Sequence, residues 1–298
     1  MSWSEDRIHR ALTRGPRPRA LAGSRGHDAA VLTPLAGAPT ICVDATIEGV
    51  HFRARTPPRV VGRKACARAL SDLAATAARP HAVLLSLCAP RSRSTAWLLA
   101  AIAGVRATAR AHGADLVGGD LACAEGPTSL TVTALGAWTG PGRPPGRDRA
   151  RPGQVVVLTG PTGGSLLGRH LRPVPRIEEG RRLARLGASA LMDVSDGLAW
   201  DLHRLARASG VRIELDMRQL PVHADARRRA RRTGRTPLDH ALHDGEDHEL
   251  VATLSARVVA RAPGSPIGRV VRGSGVILDY GERRVLWRPA MGGWKHGG

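Results

Sequence analysis

The sequence predicts a two-domain protein of the mixed α+β or α/β class. The chain has 298 residues, about twice the length of an average domain of roughly 150 residues. Short apolar stretches typical of strands alternate with longer stretches of helical period in both halves, which indicates sheets covered by helices. A glycine-, proline- and arginine-rich segment over 139–153 separates the halves. We therefore expect an N-terminal domain over 1–140 and a C-terminal domain over 150–298.

The first half of the sequence predicts several strands and two long helices. A short helix within 1–20 precedes a glycine turn that leads into a strand near Leu32. The pair Gly118–Gly119 with Asp120 is typical of a turn after a strand. Further strands are expected over 40–44, 82–88, 115–117 and 129–138, and helices over 60–78 and 95–112.

The second half repeats the alternation of strands and helices. A glycine-rich stretch over 160–165 follows a strand and is expected to lead into a helix that ends near His170. A second helix is expected after Gly197, because Leu198, Leu202 and Leu205 form an apolar stripe. The remaining predicted elements are a helix over 176–187, helices and loops within 222–243, and strands over 154–159, 211–215, 251–254, 266–271 and 275–278.

The formal net charge of +20 is the strongest signal in the composition. A basic chain can indicate a nucleic-acid partner. Here arginine is spread along the whole chain and only 3% of the residues are aromatic, whereas nucleic-acid binders concentrate basic residues and use stacking aromatics. The pattern argues against nucleic acid as the main partner and is compatible with anionic substrates such as nucleotide phosphates.

The remaining features of the sequence predict a cytoplasmic protein without a disulfide framework. The four cysteines are scattered without a CxxC pair, so neither a zinc site nor a disulfide framework is expected. No secretory signal precedes the first predicted helix, and no apolar run is long enough to span a bilayer. We therefore expect no membrane partner.

The stretch Met192–Leu202 carries the first indication of chemistry. Asp193 and Asp196 lie three residues apart, and a helix would place them on one face. Helix capping needs only one such residue. Two carboxylates held close together repel each other unless a cation lies between them. The stretch therefore predicts a cation site.

Further aspartates lie at strand ends, turns or helices in apolar or glycine-rich surroundings. Hard oxygen ligands of this kind suit Mg²⁺ bound with nucleotide phosphates. Phosphoryl transfer depends on positioning and charge neutralisation, which Mg²⁺ supplies. Gly160–Ser165 could also cradle a phosphate, but it lacks the lysine of a Walker loop, so a structural turn is favoured. The set comprises Asp28, Asp44, Asp72, Asp120, Asp193 and Asp196.

Taken together, the motifs resemble the thiamine-monophosphate kinase family. That family belongs to the aminoimidazole ribonucleotide synthetase-like (PurM-like) superfamily. The motifs run in family order from about residue 23 to the C-terminus. They are Gly26–Val31, Val43–Asp44, Glu48–Phe52, Lys64 to Leu70–Ala75, Gly118–Asp120, Arg147 before Pro152–Gly153, Leu171–Pro173 with Pro175–Arg176, Met192–Leu198, Gly245–Asp247 and Gly293–Trp294.

The resemblance implies a fold, an assembly and a reaction. The fold is the two-domain PurM-like fold, in which the N-terminal mixed-sheet domain forms the interface of a homodimer and an α/β domain follows. The family transfers the γ-phosphate of ATP directly to thiamine monophosphate, without a phosphoenzyme, and gives thiamine diphosphate. No catalytic side chain is expected, since Mg²⁺ ions assist the transfer.

The resemblance also implies roles for individual residues. The six aspartates would hold Mg²⁺. ATP would contact Gly119, Asp120, Arg147 and Ser195. Thiamine monophosphate would contact His51, Glu246 and Trp294; an aromatic ring such as that of Trp294 suits a flat heterocycle.

Several positions depart from the family's usual motifs. His27 stands where an aspartate is usual, and Val43 and Leu121 stand where threonine is usual. His248 replaces an aromatic residue in the acidic turn, and no aromatic residue follows Trp294. Two alternatives therefore stay open: another ATP-dependent reaction of the superfamily, or a divergent, non-catalytic homologue that binds nucleotide or nucleic acid.

Overall fold

The computed structural model of the chain describes residues 3–4, 7–8, 10–11, 16–23 and 29–294. His27 and Asp28 lie outside these residues, as does part of the segment 1–20 in which a short helix is expected. The chain divides into two compact units. The first unit takes in Met1–Leu73 and Arg79–Thr139, and the second takes in Ala74–Ala78 and Gly140–Gly298.

The first unit is built on a four-stranded mixed sheet in the order β1–β4–β2–β3. The pairs β1–β4 and β2–β4 are antiparallel, and β2–β3 is parallel. The strands are β1 (Ala38–Ile47), β2 (Arg79–Ala89), β3 (Asp115–Cys123) and β4 (Ser129–Trp138), and the helices are α1 (Pro58–Ala75) and α2 (Thr95–Ala111). Gly118–Asp120 therefore lies inside β3, and the expected turn is wrong, because the parallel pairing with β2 continues through all three residues.

Two glycines set the distance between α1 and α2. A Cβ atom at Gly62 would lie 1.8 Å from the carbonyl oxygen of Ala101, and one at Gly104 would lie 2.3 Å from that of Arg59. Only glycine allows backbones to approach so closely. The side chain of Ser94 begins α2 by accepting a hydrogen bond from the backbone N–H of Trp97 at 3.2 Å. The two helices consequently pack as one layer against the sheet.

The two faces of the first sheet differ in burial. One row of cross-strand neighbours contains Asp44, Val132, Leu85 and Gly119. We call it the buried row, because Val132 and Leu85 at its centre are buried. The adjacent row contains Val43 and Leu84, which are 63% and 41% exposed, and Ile41 on the same strand face is 70% exposed. Because side chains alternate along a strand, one face is covered by the unit's core and the other presents an open apolar surface.

The second unit contains a seven-stranded sheet in the order β11–β10–β7–β9–β5–β8–β6. Its pairs are antiparallel except for β7–β10. The strands are β5 (Gln154–Leu158), β6 (Ala190–Asp193), β7 (Arg212–Asp216), β8 (Leu250–Ser255), β9 (Ser265–Val271), β10 (Gly275–Asp279) and β11 (Arg284–Trp287). The helices are α3 (Ile177–Arg185), α4 (Leu198–Ser209), α5 (Ala224–Thr233) and α6 (Pro237–His243).

The core of the second unit lies between this sheet and α4. Leu198, Leu202 and Leu205 are fully buried, so the predicted apolar stripe is confirmed. The helix expected to end near His170 is wrong: this stretch forms two short 3₁₀ turns, Ser165–Leu167 and Arg169–Leu171, separated by Gly168 with φ +133°. Among the described residues, no helix is both long and apolar enough to cross a membrane.

Candidate functional site

The carboxylates of Asp193 and Asp196 lie at the junction between β6 and α4. Asp193 is the last residue of β6, and Asp196 lies in the connecting turn. The expectation that both lie on one helical face is therefore wrong. The reason is Gly197, whose φ of +112° is incompatible with a helix, so α4 can begin only at Leu198. Ser195 does not cap this helix.

Asp201, in the first turn of α4, fixes the shape of this turn. Its side chain is fully buried, and its Oδ2 accepts the backbone N–H groups of Ser195 and Asp196, both at 3.0 Å. Arg204 donates to Asp201 Oδ1 at 3.2 Å and also to the carboxylate of Asp196. The sequence motifs do not single out Asp201, since an acidic residue in the first turn of a helix is common for electrostatic reasons alone.

Negative charge accumulates at this turn. Burial, followed by the carboxylates of Asp196 and Asp193, raises the pKa of Asp201 to about 8, against the opposing effects of the hydrogen bond from the backbone of Asp196 and the charge of Arg204. A divalent cation at the turn would relieve this repulsion. Carboxylate oxygens are the donors that Mg²⁺ prefers, so the donor set fits this metal.

The acidic turn over 244–249 lies directly against the Asp193–Gly197 turn. The backbone N–H of Glu246 donates to the carbonyl of Ser195 at 2.6 Å. The N–H of His248 donates to the carbonyl of Val194 at 2.8 Å. A Cβ atom at Gly245, whose φ is +71°, would lie 2.8 Å from the carbonyl oxygen of Ser195. Glycine at this position therefore permits the close approach that brings Ser195 and Glu246 together.

Trp294 joins the same group from the end of the described chain. Its backbone N–H donates to the carbonyl of Asp196 at 2.9 Å, and its side chain is 51% exposed. The second unit thus brings together five of the predicted site residues: Asp193, Ser195, Asp196, Glu246 and Trp294. Hydrogen bonds between main-chain atoms attach Glu246 and Trp294 to the turn that carries Ser195 and Asp196.

The glycine-rich stretch after β5 supports the acidic turn and does not offer its amides to phosphate. The N–H of Gly163 donates to both carboxylate oxygens of Asp247 at 3.0 Å, and the N–H of Gly164 donates to Asp244 at 2.8 Å. Ser165 Oγ donates to the carbonyl of Gly245 at 2.6 Å. Because these donors already serve protein acceptors, the interpretation as a structural turn is confirmed.

Arg147 lies away from this group of residues. Its carbonyl accepts a hydrogen bond from Ser209 Oγ at 2.8 Å. Ser209 is the last residue of α4, about 17 Å along the helix axis from the turn that precedes Leu198. Arg147 itself is exposed.

In the first unit, the predicted metal ligands lie on different surfaces. Asp44 belongs to the buried row of the sheet, and its carboxylate lies 3.1 Å from the guanidinium of Arg68 on α1. Asp72 follows Arg68 by one helical turn. Asp120 is exposed and is the cross-strand neighbour of Ser86, which belongs to the open face. Asp44 and Asp120 therefore point to opposite faces of the sheet.

Gly119 and His51 are held by backbone contacts within the first unit. A Cβ atom at Gly119 would lie 1.9 Å from the carbonyl oxygen of Leu85, so the strand pairing itself requires glycine there. His51 Nδ1 accepts the backbone N–H of Ile47 at 3.0 Å, and its carbonyl accepts the ammonium of the fully buried Lys64 at 2.7 Å. The loop that carries His51 is thus fixed from both sides.

The predicted metal ligands are distributed over both units. Asp44, Asp72 and Asp120 belong to the first and Asp193 and Asp196 to the second, while Asp28 lies outside the described residues. Within the part of the chain that the structure describes, no group of three or more histidine, cysteine or acidic side chains is arranged to hold a metal ion by itself.

Comparison with known proteins identifies the family. Residues 26–138 match the family model of the AIR synthase related protein N-terminal domain, and residues 151–279 match that of the C-terminal domain. The chain is 38% identical over 249 residues to a thiamine-monophosphate kinase of Rhodopirellula baltica, covering 83% of this chain and 77% of the relative. It is 36% identical over 291 residues to one of Mycobacterium tuberculosis, covering 91% and 86%.

A solved structure shares the fold over nearly the full length. The complex of AaThiL with AMPPCP and TMP superimposes with a TM-score of 0.80 at 29% sequence identity, covering 98% of this chain and 95% of the other. The two family-model matches together cover both halves of the chain. The chain therefore belongs to the thiamine-monophosphate kinase family, within the AIR synthase related (PurM-like) proteins.

Proposed function

We propose that this chain is an ATP-dependent thiamine-monophosphate kinase, which converts thiamine monophosphate to thiamine diphosphate. The observation that carries the proposal is its 36–38% identity to curated thiamine-monophosphate kinases over 83–91% of its length. The ATP analogue and TMP named in the AaThiL complex support ATP and thiamine monophosphate as the two substrates.

We assign the site residues as the motifs suggest. We propose that Mg²⁺ is held by Asp28, Asp44, Asp72, Asp120, Asp193 and Asp196. We propose that ATP contacts Gly119, Asp120, Arg147 and Ser195. We propose that thiamine monophosphate contacts His51, Glu246 and Trp294. When bound, Mg²⁺ would neutralise the phosphate charge and orient the transferred group.

The chain's own contribution to this reaction is positioning. Asp201 and Gly197 hold Ser195 and Asp196 in a fixed turn, and hydrogen bonds between main-chain atoms attach Glu246 and Trp294 to the same turn. Direct transfer between two phosphates needs aligned reactants more than a covalent catalyst. A rigid turn that presents several polar groups together suits that requirement.

We further propose that the chain forms a homodimer through the open face of the first sheet, with domains corresponding to 1–140 and 150–298. Support comes from the exposed apolar side chains of Ile41, Val43 and Leu84 on one sheet face, since such patches are commonly covered by a partner. The cytoplasmic location and the absence of a nucleic-acid partner stay predictions from the sequence.

The deciding experiment follows thiamine diphosphate directly. The purified chain is incubated with ATP, Mg²⁺ and thiamine monophosphate, and the product is separated chromatographically. We expect product at a rate at least a hundredfold above a reaction without protein. Asp72→Asn, which removes one charge at nearly constant volume, should lower the rate by about a hundredfold or more, whereas Asp148→Asn at an exposed position should not. The absence of product from the unaltered chain would refute the proposal.

A further inference from the structure

Asp193 has a buried partner to which the sequence motifs give no role. Its carboxylate oxygen Oδ2 lies 3.3 Å from Nδ1 of His248. Both residues are only 3% exposed. A buried carboxylate needs hydrogen-bond donors or a cation to compensate its charge, and the imidazole supplies a donor at this distance when Nδ1 carries the proton. This contact joins the end of β6 to the acidic turn.

The backbone around His248 is fixed in an uncommon conformation. His248 has φ +53°, in the left-handed region that residues other than glycine rarely adopt. Two hydrogen bonds between main-chain atoms hold it there: His248 N–H donates to the carbonyl of Val194, and Val194 N–H donates to that of Glu249, both at 2.8 Å. Such a conformation persists where the surrounding structure determines it, typically at functional sites. The main-chain conformation therefore places the imidazole ring of His248 beside Asp193.

We propose that His248 is a positioning residue that orients the carboxylate of Asp193 toward a divalent cation. The proposal rests on the proposed function in one respect, the assignment of Asp193 as a metal ligand. By donating from Nδ1 to Oδ2, His248 fixes the rotation of the carboxylate and so determines where Oδ1 points. Partners of this kind set the orientation of metal ligands, and their loss typically weakens metal binding by about ten- to a hundredfold.

The test measures metal binding without turnover. Mn²⁺ serves as the probe, and its unbound fraction is followed by electron paramagnetic resonance with AMPPCP present. His248→Phe keeps the ring volume and removes the donor. His248→Asn keeps an N–H donor close to the position of Nδ1 and tolerates a positive φ. Asp193→Asn gives the loss expected when the ligand itself is removed.

The chain offers a matched control in a second buried histidine–aspartate pair. His240 Nδ1 lies 2.9 Å from Asp244 Oδ1, and the two side chains are 1% and 2% exposed. His240→Phe breaks a pair of the same chemistry in the same unit, so it reproduces the general effect on stability. Circular dichroism and thermal unfolding verify that each variant is folded before its metal binding is compared.

We expect His248→Phe to weaken Mn²⁺ binding about tenfold or more, approaching Asp193→Asn, while His248→Asn stays within about threefold of the unaltered chain. His240→Phe should leave Mn²⁺ binding unchanged. Unchanged binding in His248→Phe, or in Asp193→Asn, overturns the proposal. If His248→Phe does not fold, His248→Gln replaces it, because the glutamine amide lies nearer the position of Nε2 than that of Nδ1. Equal Mn²⁺ binding by His248→Gln and His248→Asn then overturns the proposal.

The binding measurement separates this inference from the proposed function. A chain that forms no thiamine diphosphate but shows the expected order of Mn²⁺ affinities refutes the kinase assignment and supports the role of His248. A chain that forms thiamine diphosphate but binds Mn²⁺ equally in all His248 variants supports the kinase assignment and refutes the role of His248.

Discussion

Single buried side chains, rather than the exposed arginines, determine the geometry of the candidate site. Asp201 accepts two backbone N–H groups of the turn that carries Ser195 and Asp196, and it also pairs with Arg204. A turn between a strand and a helix leaves donors that need acceptors. Asp201 supplies them from within the helix, which explains why the turn has no capping residue of its own.

Replacing Asp201 should therefore destabilise the second unit. Asp201→Ala leaves two partly buried backbone N–H groups without their acceptor and removes one of the two carboxylate partners of Arg204. We therefore expect the free energy of unfolding to fall by about 2–4 kcal/mol. Urea denaturation followed by circular dichroism measures the change. Asp148→Ala, at an exposed position, should change it by less than about 0.5 kcal/mol. Equal effects of the two substitutions would contradict the role given to Asp201.

A second carboxylate should make stability depend on pH. Arg218 donates to Asp216 from Nε and Nη2, both at 2.9 Å, and from its backbone N–H at 3.1 Å. These bonds, together with that from Gln219, lower the pKa of Asp216 to about 2. The folded-state pKa thus lies below the unfolded value of about 3.9, so the stabilisation is present above pH 4 and is lost as the pH falls through 2.

Asp216→Asn tests this dependence. We expect the substitution to lower the free energy of unfolding by about 1 kcal/mol at pH 7, because the pair is partly exposed and screened. The difference between the variant and the unaltered chain should shrink as the pH falls from 4 to 2. Denaturation series at several pH values measure it, and a difference that stays constant down to pH 2 would rule out this origin.

At the scale of elements, close backbone approaches position the loops of the second unit. The stretch after β5 passes so near α5 that a Cβ atom at Gly164 would lie 2.2 Å from the backbone carbon of Asp225. The same stretch donates to Asp244 and Asp247, which hold the acidic turn. The N–H groups of Gly163 and Gly164 thus stabilise the turn that carries Glu246 and His248, and do not bind a phosphate.

Gly164→Ala should consequently disrupt this packing. Gly164 has φ +73°, and Gly187 has φ +82° but nothing within 4 Å of the position of its Cβ. Gly187→Ala should cost about 1 kcal/mol from backbone strain alone, whereas Gly164→Ala adds a backbone clash and should cost more than about 3 kcal/mol. Thermal and urea unfolding compare the two variants. Equal losses of stability would show that the clash is relieved by small shifts.

At the scale of the whole molecule, the open sheet face of the first unit is the surface most suited to self-association. Ile41 and Val43 lie on the edge strand β1, and Leu84 lies on the central strand β2. An edge strand whose exposed face is apolar is a hazard for a monomer unless a partner covers it. The face has the properties expected of an interface between copies of this chain.

A charged residue on this face should prevent the association. Ile41→Arg places an unpaired charge within the proposed interface, so we expect a dimer in the unaltered chain and a monomer in the variant at micromolar concentration. Sedimentation equilibrium measures both masses. Val174→Arg, at an exposed position in the second unit, should leave the mass unchanged. A monomeric unaltered chain would refute the proposed homodimer.

The chain's secondary structure was largely predictable from local patterns. The long helix over 95–112, the strand over 129–138 and the apolar stripe after Gly197 depend on periodicity and end signals that lie within about fifteen residues. These predictions are confirmed by α2, β4 and α4. Where the prediction was wrong, at Gly118–Asp120 and after Ser165, a distant strand or a glycine conformation overrode the local signal.

The motifs by themselves determined the family and the candidate residues, because spacing and residue type are properties of the chain in order. Only the tertiary structure decided how those residues are held. The groups that hold them are the side chains of Asp201 and His248 and the carbonyl groups of Val194 and Ser195. Their hydrogen-bond partners lie across the turn or about 50 residues away in the sequence. Hydrogen bonds and backbone approach between such segments leave no periodic mark in the sequence, so the support of the site emerges only when the chain is folded.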